Sequence, residues 1–245
     1  MRFLVGSLTV GINSILKNAC SCGGLAASAV SQTHTAIDAE KGDIPGLCER
    51  LLGIIKEIFI PFFINSEIDR AYPFLTPAHK LRVFDRTLKK IKGADIFETQ
   101  LSYMSDRLKI SLYEKTILNL DGFFTFRIRD IREKWQNVLD GQVSEFLKEN
   151  EREELLNTLK AYALGRTPLF NRITVVEAAN GRYAFFDENG TRIITMFSEE
   201  KDYTREEELI NSLLYMSPVV IDLTAVDDEE MKIILRDIFT GRVIG

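Results

Sequence analysis

Four side chains in the first fifth of the sequence are of types that bind zinc. They are Cys20, Cys22, His34 and Cys48. Three thiolates and an imidazole form a common ligand set for structural zinc. The spacing fits poorly, because the Cys20 and Cys22 pair lacks the two intervening residues of common zinc-binding turns, and Cys48 begins an apolar helical pattern. We therefore expect free structural thiols and no metal. So few cysteines favour a reducing compartment over a disulfide scaffold.

One carboxylate is the only lead toward catalysis. Asp222 lies near the C-terminal end of the apolar segment 219–223, and α/β proteins often place functional carboxylates at the end of a central strand. The competing interpretation is that Asp222 caps the turn or helix that follows. The sequence contains two histidines and lacks a Gly-x-Ser-x-Gly elbow, a Walker A loop and a Gly-x-Gly-x-x-Gly turn. We therefore predict a protein without catalytic residues or a cofactor.

Two groups of basic residues could contact an anion or a nucleic acid. The first group lies on one face of a predicted helix over 78–92. The second group lies in 127–134 and also includes Arg132 and Lys134. At about 1 kcal/mol per cation near an anionic surface, the first group would give weak, salt-sensitive binding. A solvated helix face has the same pattern. The candidate contact residues are Arg82, Arg86, Lys89, Lys90, Arg127 and Arg129.

Composition and charge exclude several classes of protein. The chain has 245 residues, of which 45% are hydrophobic and 27% charged, so it is long enough to bury one large core or two small ones. Its formal charge of -5 argues against bulk attraction to nucleic acid or anionic lipid. The most apolar stretch, 47–64, contains four charged residues. Lys56 and Glu57 near its centre would each cost about 2.5 to 3.5 kcal/mol on insertion. We expect no transmembrane segment.

The first 40 residues carry the weakest pattern. Arg2 precedes an apolar run over 3–12, and residues 27–29 have the small-x-small form of a signal cleavage site. Polar residues, beginning with Asn13, interrupt the apolar block well before that site. We therefore predict a cytoplasmic protein, in which 3–9 could form a strand and 23–31 a loop or weak helix.

Apolar residues spaced by three and four predict helices over most of the first two-thirds of the chain. The first two expected helices are 47–64, which Pro61 ends or kinks, and 78–92, which Gly93 ends. A third covers 95–119, and a long fourth helix begins after Asp121 as its cap. The fifth covers 151–164 and ends at Gly165. Within the long fourth helix, a strand over 124–128 is the alternative. Residues expected to face inward include Phe62, Leu81, Leu147, Leu155 and Tyr162.

The apolar period changes from 3.6 to 2 close to residue 171. Three short β-branched and aromatic runs, separated by Asn180-Gly181 and by 188–190, predict a three-stranded meander. A capping box at Thr204 opens a helix to about 216, followed by a strand over 219–223, a helix over 227–239 and a short last strand. We predict an α+β fold: a mostly helical region over 1–168 and a small α/β domain over 169–245.

The run from Asp121 to Asp130, Asp-Gly-Phe-Phe-Thr-Phe-Arg-Ile-Arg-Asp, resembles the YtxC-type sporulation proteins of endospore-forming bacteria. The likeness continues through 133–135, 145–148, 208–214, 218–221 and 237–243. The resemblance implies a helical region joined to a small α/β part and a role in endospore formation, without an established enzymatic activity. We therefore expect a non-catalytic interaction protein that binds a protein partner. The alternative is a nucleic-acid-binding protein that uses the basic faces around 80–92 and 127–134.

Overall fold

Residues 1–9, 11–178, 181–198 and 203–245 are described by a computed structural model of the chain. Helices dominate the first two-thirds, and a sheet with helices forms the C-terminal part, so the predicted α+β class is confirmed. Contacts divide the chain into two compact units, Met1–Phe146 and Leu147–Gly245. The boundary between them falls within one long helix.

The first unit contains a four-stranded mixed sheet. Its strands are β1 (Arg2–Gly6), β2 (Ala26–Ala29), β3 (His34–Asp38) and β4 (Ile117–Asn119), in the order β2-β3-β1-β4. β1 pairs antiparallel with β3 and parallel with β4. Helix α1 (Ile12–Cys22) joins β1 to β2. The strand predicted over 3–9 is present as β1.

The other three strands of this sheet were not predicted. β2 is a run of Ala and Ser with largely exposed side chains, so it has no alternating apolar pattern to reveal it. β4 occupies residues that the helical pattern assigned to 95–119. The helix there, α5 (Ile96–Glu114), ends earlier, because residues 117–119 pair with β1 instead. Tertiary pairing thus overrides the local helical pattern.

The helix predicted over 47–64 is longer than expected. It begins as α2 (Ile44–Ile54), passes through a π-helical turn (Ile55–Phe59) and continues as α3 (Ile60–Ala71). Pro61 lies in the first turn of α3, where its missing N–H group is tolerated. The expectation that Pro61 ends the helix is therefore wrong. Helix α4 (Pro77–Lys92) follows as predicted, with Gly93 at its C-terminus.

Two helices were predicted, one that begins after Asp121 and one over 151–164, but most of their residues form a single continuous helix. A short turn α6 (Leu120–Gly122) and a second π-helical turn (Phe123–Arg127) lead into α7 (Arg129–Gly165). No Gly or Pro lies in residues 142–150 to break the helix. Residues 124–128 do not form the alternative strand. Asp121 is not the cap either, because the side chain of Asn119 accepts the hydrogen bond from the Gly122 N–H at 2.7 Å.

The second unit contains a five-stranded mixed sheet. Its strands are β5 (Arg172–Glu177), β6 (Tyr183–Phe186), β7 (Arg192–Ile193), β8 (Val220–Ala225) and β9 (Val243–Ile244), in the order β7-β6-β5-β8-β9. The predicted meander β5-β6-β7 is confirmed, and β8 pairs parallel with β5 and β9. The first turn includes Asn180, which lies outside the described residues. Gly181 there has a φ of +76°, which suits glycine.

The second unit also contains the C-terminal part of α7 and helices that flank β8 in the sequence. Helix α8 (Arg205–Met216) begins at the predicted capping box: the Glu207 N–H donates to the Thr204 hydroxyl at 3.2 Å, and the Thr204 N–H donates to the Glu207 carboxylate at 2.9 Å. Helix α9 (Glu229–Ile238) is capped by Asp228. Apolar side chains from the sheet, from both of these helices and from the C-terminal part of α7 form the core of this unit.

Several side chains that were expected to face inward are exposed. They are Phe62, Leu81, Leu147, Leu155 and Tyr162. On α4 the buried stripe runs through Val83, Thr87 and Ile91, which leaves Leu81 61% exposed. Phe62 follows a π-helical turn, whose extra residue rotates the positions after it around the helix axis. Within the described residues, no helix combines the length and apolar character needed to span a membrane.

Candidate functional site: an aromatic cleft in the first unit

Two π-helical turns of the first unit lie against one another. The rings of Phe59, from the turn before α3, and Phe124, from the turn before α7, have centroids 5.3 Å apart. π-helical turns are rare and occur frequently at functional sites, because they redirect side chains that a regular helix would hold in register. The pair of turns therefore marks a candidate functional site.

Two adjoining cavities open beside these turns. One has a volume of about 170 Å³ and the other about 370 Å³, and they share Phe63, Glu67, Thr125 and Arg132. We call them together the aromatic cleft. The smaller cavity is further lined by Thr9, Phe59, Phe62, Ser66, Asp121 and Phe124. The larger is further lined by Arg70, Phe126, Arg129, Glu133 and Gln136.

The apolar wall of the cleft has a buried and an exposed part. Phe63 and Phe124 are buried and pack on Trp135, with ring centroids 6.4 and 6.3 Å away. Phe62 and Phe126 are 59% and 78% exposed. Exposed aromatic side chains beside a cavity are typical of interaction sites, since each offers a large area for burial by a partner.

Arg132 is the charged residue most closely associated with this wall. Its guanidinium lies 4.6 Å from the ring centroid of Phe63 and 5.4 Å from that of Phe124. Nη1 donates to the carbonyl oxygen of Thr125 at 3.2 Å, whereas Nε is buried without an acceptor. Burial lowers the pKa of this guanidinium, and the nearby Glu67 carboxylate opposes the shift. Arg132 remains charged, because an arginine titrates far above neutral pH.

The other arginines of the cleft have carboxylate partners. Arg70 forms an ion pair with Glu67 three residues earlier, and Arg129 donates to Glu133 at 2.9 Å. Among the described residues, no carboxylate lies within ion-pair distance of Arg132. The cleft therefore presents one cation whose charge is not neutralised by a direct partner.

Asp121 lies where the parallel strands β1 and β4 end. Its carboxylate accepts hydrogen bonds from the Leu8 N–H at 2.8 Å, from the Thr9 hydroxyl at 3.0 Å and from the Ser7 hydroxyl at 3.3 Å. Gly6 and Asn119, the last residues of the two strands, are partners in the register. Crevices at the carboxyl ends of parallel strands commonly bind ligands. Asp121 thus fixes the loop after β1 against one side of the cleft.

The first group of predicted basic contacts, on α4, is partly engaged within the protein. Lys90 lies 3.6 Å from the Glu145 carboxylate, and Arg82 lies 5.6 Å from the ring centroid of Phe146. Lys89 is exposed and Arg86 is half-buried. The neighbouring Lys80 and Lys92 pair with Asp69 and Glu57.

The second predicted group lies at the start of α7. Arg127 ends the π-helical turn, and its carbonyl oxygen accepts from Arg107 at 2.8 Å. Arg129 lines the cleft with Arg132. From the sequence, Arg132 was one cation among several in 127–134, and the places of Phe62 and Phe63 in the cleft were not predicted. The approach of the two π-helical turns is a tertiary contact, and the sequence contains no signal for it.

Asp222 is held by its surroundings. Its carboxylate accepts from the Thr224 N–H at 3.1 Å and the Thr224 hydroxyl at 2.7 Å, and it also forms an ion pair with Arg172. Burial acts to raise the pKa of Asp222, but the bonds from Thr224 and Arg172 outweigh it and lower the pKa below its ordinary value. Both oxygens are thus used to fix the end of β8.

The three cysteines are free thiols. Cys20 and Cys48 are buried in the core of the first unit, and Cys22 is exposed. Burial raises the pKa of the Cys48 thiol to about 11, against the opposing influence of Lys109. In the part of the chain that the structure describes, no group of three or more His, Cys, Asp or Glu side chains could hold a metal ion.

Comparison with known proteins identifies the family and little else. No curated protein and no solved structure matches the chain. The profile of the YtxC-like family matches residues 47–244. This range includes both π-helical turns and every cleft residue except Thr9. Because the match covers most of the 245 residues, the chain belongs to the YtxC-like family.

Proposed function

We propose that this chain is a cytoplasmic, non-catalytic interaction protein of endospore formation, and that it binds a protein partner at the aromatic cleft. The family resemblance supports the sporulation role. The observation that carries the binding role is the pair of exposed phenylalanines, Phe62 and Phe126, beside cavities whose lining includes Arg132, an arginine without an ion-pair partner among the described residues.

The energetics of these side chains favour binding. Full burial of one phenylalanine side chain contributes about 1.5 to 3 kcal/mol. Protein interfaces are enriched in aromatic residues and arginine, and the energy concentrates at a few such residues near a pocket. Phe62, Phe126 and Arg132 have the types and the clustering of an interface centre.

The alternative, a nucleic-acid-binding protein, has less support. Binding to a phosphate backbone depends on cations that release counterions. Lys80, Lys90 and Lys92 on α4 and Arg129 on α7 already lie beside carboxylates. Neighbouring carboxylates also repel phosphates, which weakens the electrostatic gain from these faces.

Capture from sporulating cells tests the proposal. The full chain, a Phe62→Ala/Phe126→Ala double variant and a Leu81→Ala control serve as baits in nuclease-treated lysate. Leu81 is a matched control because it is a similarly exposed apolar residue of the same unit that does not line the cleft. We expect the native chain and the control to enrich the same protein, and the double variant to retain about tenfold less.

Two results would contradict the proposal. One is the absence of an enriched protein, and the other is equal capture by the double variant. A gel-shift assay at low salt examines the alternative: retention of DNA or RNA that is lost with Arg82→Glu/Lys89→Glu would favour nucleic-acid binding.

A further inference from the structure

We infer that the aromatic cleft recognises an acidic peptide segment, in which a carboxylate lies next to an aromatic or large aliphatic side chain, and that Arg132 is the residue that binds the carboxylate. This inference rests on the proposed function, because it names the chemistry of the protein partner.

The hydrogen bonding of Arg132 is incomplete. A guanidinium has five N–H donors in a planar fork. Among the described residues, Thr125 supplies the only acceptor, at Nη1. Nε is shielded from solvent and has no acceptor among the described residues. Arg132 lines both cavities of the cleft, and no described carboxylate lies within ion-pair distance of it. A carboxylate that approaches the guanidinium from the cleft would therefore gain a charge-assisted hydrogen bond, which is stronger than a neutral one.

The charge of the cleft selects a single carboxylate. Glu67 and Glu133 are paired with Arg70 and Arg129, so Arg132 is the arginine of the lining without an ion-pair partner among the described residues. The third carboxylate, Asp121, is engaged by hydrogen bonds from Leu8 and Thr9. The same carboxylates and Asp121 line the cleft and would repel a ligand with several negative charges. A phosphate group or a nucleic-acid backbone is therefore a poorer match than one carboxylate carried by a protein segment.

The apolar part of the ligand is set by the volume and the lining of the smaller cavity. An apolar cavity of about 150 Å³ is large enough to bind benzene. The smaller cavity measures about 170 Å³, and the rings of Phe59, Phe62, Phe63 and Phe124 form the apolar part of its lining, beside polar residues that include Arg132. One aromatic or large aliphatic side chain would fill it and lie against the edges and faces of these rings.

Trp135 provides the readout for a binding experiment. It is the only tryptophan, it is buried, and it packs on Phe63 and Phe124, both of which line the cleft. The probes are two blocked dipeptides, N-acetyl-phenylalanyl-aspartyl amide and N-acetyl-phenylalanyl-asparaginyl amide, which have the same shape and differ in one charge. Inorganic phosphate is the third probe. Each is titrated into the full chain while the Trp135 emission is followed.

We expect saturable binding of the aspartyl probe that is about tenfold tighter than binding of the asparaginyl probe, because a charge-assisted pair replaces a neutral one. Phosphate should bind more weakly than the aspartyl probe. Equal affinity for the two dipeptides, no saturable change with either, or tighter binding of phosphate would overturn the inference.

Variants locate the contact. Arg132→Gln should abolish the preference for the aspartyl probe, and Arg132→Lys should restore part of it, because lysine keeps the charge but loses the planar fork. Arg82→Gln is the matched control, since it removes an arginine that lies over Phe146 outside the cleft. The control should bind as the native chain does. A preference that survives in Arg132→Gln, or one that disappears in the control, would contradict the role of Arg132.

Phe126→Ala tests whether a loss of binding can occur without misfolding of the variant. The side chain is 78% exposed, so its removal leaves the core intact, and circular dichroism should be unchanged. We expect weaker binding of both dipeptides with the charge preference retained; unchanged binding would count against the cleft. If a native partner is captured from cells but the two dipeptides bind equally or not at all, this inference is wrong and the proposed function stands. If no partner is captured, the proposed function itself is contradicted.

Discussion

Trp135 donates a hydrogen bond of 2.9 Å from its indole N–H to the side-chain oxygen of Gln100, and both residues are buried. Gln100→Leu would leave the indole N–H without an acceptor, which costs about 1 to 3 kcal/mol. Urea unfolding followed by circular dichroism should show this loss. In Trp135→Phe/Gln100→Leu neither polar group remains unpaired. This double variant should therefore lose less stability than the sum of the two single variants, and an additive loss would show that the hydrogen bond contributes nothing.

Asp121 should hold the loop after β1 in place. Asp121→Ala removes the acceptor of the Leu8 N–H, so that amide should exchange its hydrogen at least about tenfold faster. Asn119→Ala is the control, because it removes the cap of α6 and should cost about 1 kcal/mol without a local effect at Leu8. Unchanged exchange at Leu8 in Asp121→Ala would show that the loop is fixed by other contacts.

The neighbouring pair Asn119 and Asp121 shows how far the sequence could predict the fold. Both residues are good helix caps, and only the pairing of β4 with β1 decides that Asn119 caps while Asp121 binds the loop. The meander, α8 and its capping box were predictable because their signals are local: alternation, turn residues and the Thr204 and Glu207 spacing. The sheet of the first unit was largely missed, because its short strands are specified by distant partners.

Asp222 should make stability depend on pH. Its pKa is lower in the folded protein than the ordinary value of 3.8, so its stabilising contribution is complete above that value and is lost as the pH falls through the folded pKa. Asp222→Asn should therefore be less stable than the native chain at pH 7, by about 1 to 3 kcal/mol if the hydrogen bonds of a buried charge are lost. Unfolding in urea at pH 7 and pH 3 should show the difference shrinking at the lower pH.

A matched control for this pH effect is Asp106→Asn. Asp106 also pairs with a cation, Lys109 at 3.2 Å, but both side chains are exposed and solvent screens the pair. This variant should unfold as the native chain does at both pH values. A difference for Asp222→Asn that is the same at pH 7 and pH 3 would rule out the charge of Asp222 as its source.

The three cysteines should differ in reactivity. Cys22 is exposed, whereas Cys20 and Cys48 are buried and burial raises the pKa of both thiols, to about 11 for Cys48. Since the thiolate is the reactive form, a colorimetric thiol reagent at pH 8 should titrate one cysteine in the native protein and three in denaturant. Cys22→Ser should remove the native reaction. Rapid reaction of three thiols in the native protein would contradict the placement of Cys20 and Cys48.

The candidate site was harder to predict than the fold. Arg132 could be recognised as basic, but its stacking on Phe63 depends on the approach of α3 and α7. Phe62 was expected in the core because a regular helix would turn it inward, and the π-helical turn before it is not encoded in apolar spacing. The run from Asp121 to Asp130, which carries the family resemblance, nevertheless supplies Phe124, Thr125 and Phe126 to the cleft.

Complementation tests most directly whether the cleft serves sporulation. A strain of an endospore-forming bacterium that lacks this gene is supplied with the native chain, with Phe62→Ala/Phe126→Ala or with Leu81→Ala, each at matched protein level, and heat-resistant spores are counted. We predict that the native chain and Leu81→Ala restore spore formation and that the double variant does not. Full restoration by the double variant, or normal sporulation without the gene, would contradict the proposed role of the aromatic cleft.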